Sequence, residues 1–114
     1  MKIILDTKED VELFNETASY WAKQIERTKK TQLRNFYDKV LELQKEIEKN
    51  GFEDVLPFIK MLNSKVAYAV NRRVVSKEFK QMINECVKQI DSVQKFETFK
   101  LFFEAVLGFY KGRD

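Results

Sequence analysis

The chain has 114 residues, a formal net charge of +3, no histidine and one cysteine, with 44% hydrophobic and 34% charged residues. That is the length of one ordinary domain, expected to span residues 1–114, and it is long enough to bury roughly two-thirds of the surface of its unfolded form without staples. The composition excludes histidine-based acid–base catalysis, an internal disulfide and a four-ligand cysteine–histidine zinc site, so neither a metal nor a cofactor is expected. No apolar run approaches the roughly 20 residues that cross a bilayer. The opening Met1-Lys2-Ile3-Ile4-Leu5-Asp6 reaches an acid too early for a signal peptide. A free cysteine and the lack of a leader point to the cytoplasm and away from membranes.

Three glycines and one proline leave little room for strands and turns, and the apolar residues recur at helical spacing. Val11, Phe14, Ala18, Trp21 and Ile25 step by three and four, which predicts a first helix from about Lys8 to Arg27. Thr28 is suited to cap a second helix that ends at Asn50-Gly51, with Leu33, Phe36, Tyr37, Val40, Leu43 and Ile47 inward. A third helix is expected from about Asp54 to Asn71, with Pro57 in its first turn, where amides lack partners. Its inner face is Leu56, Ile59, Leu62, Val66 and Ala69, and Arg72-Arg73-Val74-Val75 follow as a connector.

Ser76 caps a fourth helix carrying Phe79, Ile83, Cys86 and Ile90, and Asp91 with Gln94 reads as a capping-box variant before a fifth. The fifth carries Phe96, Phe99, Phe103, Val106 and Tyr110, and Leu101, Phe102, Ala105 and Phe109 lie off that stripe. This helix is therefore either central or partly covered by another subunit. The expected fold is all-α, a single small bundle of about five helices with short, roughly antiparallel connections.

Nothing along these helices looks catalytic. Pairs such as Glu42 with Lys45, or Glu46 with Lys49, read as solvated faces. Cys86 falls on an inward stripe and has no imidazole to activate it, so it reads as a core residue. The chain is not expected to be an enzyme.

The charge is segmented instead. Residues 27–39 carry +4 (five basic, one acidic), residues 40–59 carry −3 (two basic, five acidic), and residues 60–80 carry +5 (six basic, one acidic). Pairing the second and third helices antiparallel brings Lys29–Arg34 near Asn71–Arg73 and gathers the acids at the Gly51 turn. A basic end in a chain without catalytic groups points to an anionic polymer. Arg34, Arg72 and Arg73 supply three of the five arginines, whose planar forks suit phosphate. Most of the ten phenylalanines sit at core spacing, and Tyr68, beside Lys65 and close to Arg72, is the aromatic best placed for a contact.

Three stretches then carry a family resemblance. They are Thr31-Gln32-Leu33-Arg34-Asn35-Phe36-Tyr37, Met61 through Ala69 followed by Arg72, and Phe96 through Val106 with Tyr110-Lys111. In order and spacing they resemble the small subunit of the type III-A CRISPR effector, the Csm complex, over about residues 28–112. The resemblance implies a non-catalytic helical bundle that stacks in several copies along the guide RNA. There it would line the guide RNA–target RNA duplex beside other Csm subunits, which do the cleaving. Carried over by motif, Arg34, Lys65 and Arg72 become RNA-facing, and Tyr68, Arg73 and Lys77 join them from aromatic character and charge. Such contacts would be to phosphate and ribose, indifferent to base sequence. The alternative reading is a helical protein–protein or dimerisation module whose basic end is merely solvated.

Overall fold

The computed structural model describes residues 1–112, so the last two residues of the expected domain lie outside the described ones. A π-helical turn at Leu13–Thr17 leads into α1 (Ala18–Gln24). Then come α2 (Lys30–Asn50), α3 (Phe52–Lys60), α4 (Leu62–Asn71), α5 (Lys77–Val87) and α6 (Val93–Phe109). No strand occurs among the described residues. With α3 and α4 counted as one bent helix, the five expected helices are all present. The body measures 36 × 33 × 19 Å. Its short dimension is about two helix diameters, so the bundle is two layers thick and every helix keeps one face outward.

The first helix starts later and in a different register than its three-four spacing predicts. In a π-turn five residues separate successive inward positions, so Leu13 is buried below Ala18 while Phe14 and Val11 are exposed. Before it, residues 1–5 run as a strap. Ile3 and Leu5 are each 1% exposed, and the Gln89 side chain holds the strap's backbone twice, accepting from Leu5 N at 2.9 Å and donating to Ile3 O at 2.8 Å. Lys95 Nζ donates to Leu5 O and Trp21 Nε1 to Met1 O.

Two of the three predicted caps move. Ser76 caps α5 as expected, its hydroxyl accepting from Phe79 N at 3.1 Å. Ser92, rather than Asp91, caps α6 by accepting from Lys95 N. Thr28 does not cap α2, which begins at Lys30 after Lys29, because the Thr28 hydroxyl is turned toward Ser76 instead. Gly51 closes α2 with φ 89° and ψ 155°, a backbone region essentially restricted to glycine. The turn it permits starts α3 at Phe52, two residues earlier than predicted. Pro57 is therefore the sixth residue of α3 and not in its first turn. Its missing N–H leaves the Glu53 carbonyl without its helical donor, and the helix is interrupted at Met61, four residues on, before α4 begins.

The core is a single cluster reaching from Ile3 to Val106. An aromatic chain links three helices: Phe36 of α2 meets Phe79 of α5 at 5.2 Å, Phe79 meets Phe103 of α6, and Phe103 meets Phe99 and Tyr37. The Phe36–Phe79 and Phe79–Phe103 pairs are edge-to-face and the other two tilted, and aromatic pairs of this kind add about 0.5–1.5 kcal/mol each beyond their buried area. Helix α6 packs on α1, α2 and the π-turn, and Phe102 is fully buried, which answers its surplus apolar surface with a central position. Leu101 and Phe109 remain 42% and 39% exposed. Cys86 is wholly buried and burial raises its thiol pKa far above the usual range, in keeping with a core role. Among the described residues no helix is long and apolar enough to cross a membrane.

Candidate nucleic-acid interface

The basic end is built around Thr28, which is buried with all its polar groups engaged. Its Oγ1 accepts from Ser76 N at 3.0 Å and lies 3.0 Å from Ser76 Oγ, so one hydroxyl donates to the other. Its carbonyl accepts from the Tyr110 hydroxyl at the end of α6. Three chain segments are thereby tied at one point: the α1–α2 link, the start of α5 and the end of α6. Because these segments contain Arg27, Lys29, Lys30, Lys77 and Lys111, the tie concentrates positive charge that is dispersed in the sequence.

Arg73 reaches the same place through a strained backbone. It has φ 62°, the only positive φ of a non-glycine residue among those described. The hydrogen bonds from Arg73 N to Val70 O (2.8 Å) and from Val74 N to Ala69 O (3.1 Å) form a Schellman closure of α4. The left-handed residue of that closure is usually glycine; here it is an arginine. Arg73, Lys77 and Arg27 line a hollow of about 400 Å³ beside Ser76, and Glu78 is the one acid in its lining. None of the three cations forms an ion pair among the described residues.

Lys65, Tyr68 and Arg72 form a second group, on α4. At 3.6 residues per turn they fall, with Met61, within about 60° of arc. All four are exposed, Tyr68 by 64%, and the Arg72 guanidinium carbon stands 5.7 Å from the Tyr68 ring centre. The chain from residue 61 to 77 contains no Asp or Glu. The two groups adjoin at Arg72-Arg73, so five of the six residues expected from the sequence (Lys65, Tyr68, Arg72, Arg73 and Lys77) lie on one continuous stretch.

Arg34 is set apart from them. It lies one turn from Tyr37, whose hydroxyl donates to Glu104 of α6 at 2.9 Å. That bond and burial raise the Tyr37 pKa to about 12, burial being the larger cause, against a lowering by Arg34. The α2–α3 groove is lined instead by Lys39, Glu42 and Leu43, and Lys39 is about 140° around the helix from Arg34. The expected approach of Lys29–Arg34 to the Asn71–Arg73 end is not met at Arg34, because α4, after the break at Met61, packs on α5; Arg27, just before that segment, is the residue that lines the hollow with Arg73. Arg27 is the residue that the sequence reading left out; its place in the first basic segment was visible, its meeting with Arg73 was not. The acids gather about the Gly51 turn as expected, with Glu46, Glu48 and Asp54 along the same groove.

A model of the family Csm2 Type III-A matches residues 8–113. The chain belongs to this family. It is therefore a small subunit of the type III-A Csm effector, associated with other subunits of that complex, as the three sequence stretches implied. The match also takes in the π-turn and α1, which the resemblance did not reach, and leaves out residues 1–7, the strap among them. No curated protein and no solved structure matches the chain. Among the described residues no group of three or more Cys, Asp or Glu is placed to hold a metal ion.

Proposed function

We propose that this Csm2-family subunit is a non-catalytic, cytoplasmic RNA-binding protein. It stacks in several copies along the filament and steadies the guide RNA–target RNA duplex through contacts to phosphate and ribose. The observation that carries this reading is the gathering of Arg27, Arg73 and Lys77 from separate segments around one hollow, with no ion pair to neutralise them. Unpaired cations held close together repel, and a polyanion relieves that repulsion while releasing its own counterions. Lys65 and Arg72 extend the surface along α4, and Arg34 serves a separate contact on the α6 side of α2.

The deciding experiment is the double reversal Arg72→Glu/Arg73→Glu, measured by RNA binding at low salt alongside thermal melting. Both side chains are exposed, so the fold is expected to melt as before, with affinity sharply reduced and a shallower salt dependence. Unchanged affinity would sink the proposal.

A second reading has its own support. Phe58, Leu101 and Phe109 are each 39–56% exposed, and apolar surface of this kind marks contacts with protein. We assign these residues to neighbouring subunits, which a stacked subunit requires in addition to RNA.

A further inference from the structure

Tyr68 has a feature that backbone contacts do not use. Its ring is 64% exposed, and among the described residues it stacks on no other ring, while Arg72, one turn on, brings its guanidinium to 5.7 Å from the centroid. Lys65 lies one turn before it on the same face. An aromatic plate between two cations, on a stretch of 17 residues without an acid, offers two kinds of recognition at once. The ring gives a flat apolar surface that any base can cover. The cations on either side are placed for the phosphates that flank such a base. The guanidinium–ring contact also restrains the ring, which lowers the ordering cost of stacking.

We infer that Tyr68 stacks on an unpaired nucleobase, so that the α4 face takes single-stranded RNA while Lys65 and Arg72 hold the adjoining phosphates. A base inside a duplex has both faces covered by its neighbours and cannot use the ring. This inference rests on the RNA-binding reading above and narrows it: duplex contacts fall to the hollow of Arg27, Arg73 and Lys77, and the α4 face takes unpaired nucleotides beside it. Charge complementarity selects a nucleic acid over an apolar protein segment at the Arg72 end of this face, where residues 61–77 supply only positive charge, while Lys65 at the other end borders the groove that holds Glu42, Glu46 and Asp54.

The test measures binding of the full chain to three RNAs of equal length at low salt: an unstructured single strand, the same backbone made abasic, and a fully paired duplex. Tyr68→Ala should weaken single-strand binding about tenfold and leave abasic and duplex binding unchanged, whereas Tyr68→Trp should restore single-strand affinity. Equal losses on all three RNAs, or none on any, would overturn the inference. So would unchanged RNA affinity with weakened self-association by sedimentation, which would make the ring a protein contact. The double reversal separates the two levels: if Arg72→Glu/Arg73→Glu lowers affinity and Tyr68→Ala does not, stacking fails while RNA binding stands. If the reversal has no effect either, RNA binding itself fails.

Discussion

Arg73→Gly is expected to make the protein more stable and worse at binding RNA. A side chain with a Cβ in the left-handed region costs about 1–2 kcal/mol, and Arg73 has φ 62° at the Schellman position of α4. Glycine removes that cost but gives the unfolded chain more freedom, worth about 0.4–1 kcal/mol in the other direction. The net gain is about 0.5–1 kcal/mol. At about 2.1 cal/mol/K per residue, the unfolding entropy of 114 residues comes to about 0.24 kcal/mol/K, so Tm should rise by about 2–4 °C. No ion pair of the guanidinium offsets this among the described residues. Binding should move the opposite way: loss of one phosphate contact lowers the slope of log K against log salt by about 0.7–0.9. Arg73→Ala separates the effects, because it discards the charge and keeps a Cβ at the same φ, and it should weaken binding equally without raising Tm. Scanning calorimetry and salt-dependent RNA titrations of the three proteins check this. A lower Tm for the glycine variant would refute the claim that the arginine is held there at a cost. A higher Tm with unaltered RNA affinity would refute the claim that RNA is the reason for it.

Thr28→Val should keep the volume and remove the hydroxyl, leaving Ser76 N without its acceptor in a buried setting. A loss of about 1–3 kcal/mol in chemical denaturation is expected. The tyrosine of the α2–α6 bond gives a pH signature. The folded-state pKa of Tyr37 is raised to about 12 from 10.0, so its protonated form is the one the fold favours. Its contribution is fully present below about pH 10 and is lost as pH rises toward about 12. Tyr37→Phe should therefore lie below the parent protein in stability at neutral pH and approach it across that window, measured by urea unfolding at each pH.

Most of the architecture was legible because it follows from local rules. The inward residues of α2, α4, α5 and α6 repeat every three or four positions, and Ser76 ahead of Phe79 is an N-cap that sequence alone can place. The errors arose where a local signal met a tertiary competitor. Thr28 has good capping chemistry, and its hydroxyl went to a residue 48 positions away. Phe14 follows an α-helical stripe, and a π-turn moved the inward position to Leu13. Pro57 looked like a first-turn residue because the positive-φ turn at Gly51, which starts the helix earlier, leaves no periodic trace. In the candidate site, charge density picked out residues 60–80, since a run of like charge survives any folding of the chain. The membership of Arg27, and the separation of Arg34, depend on how α4 leaves α2 after Met61, which no pattern in the residues encodes.

The tie at Thr28 has a consequence for how the basic surface comes into being. It joins residues 48 and 82 positions apart, so loop-closure entropy must be overcome before any of its bonds can form. The cluster of Arg27, Arg73 and Lys77 is thus assembled only by long-range contacts, and no short sequential fragment contains it. A peptide of residues 60–80 carries a net charge of +5 but lacks Arg27 and the buried hydroxyl pair that aligns it. On the RNA-binding proposal, affinity therefore requires the native fold, and a partly folded copy has the charges without the arrangement.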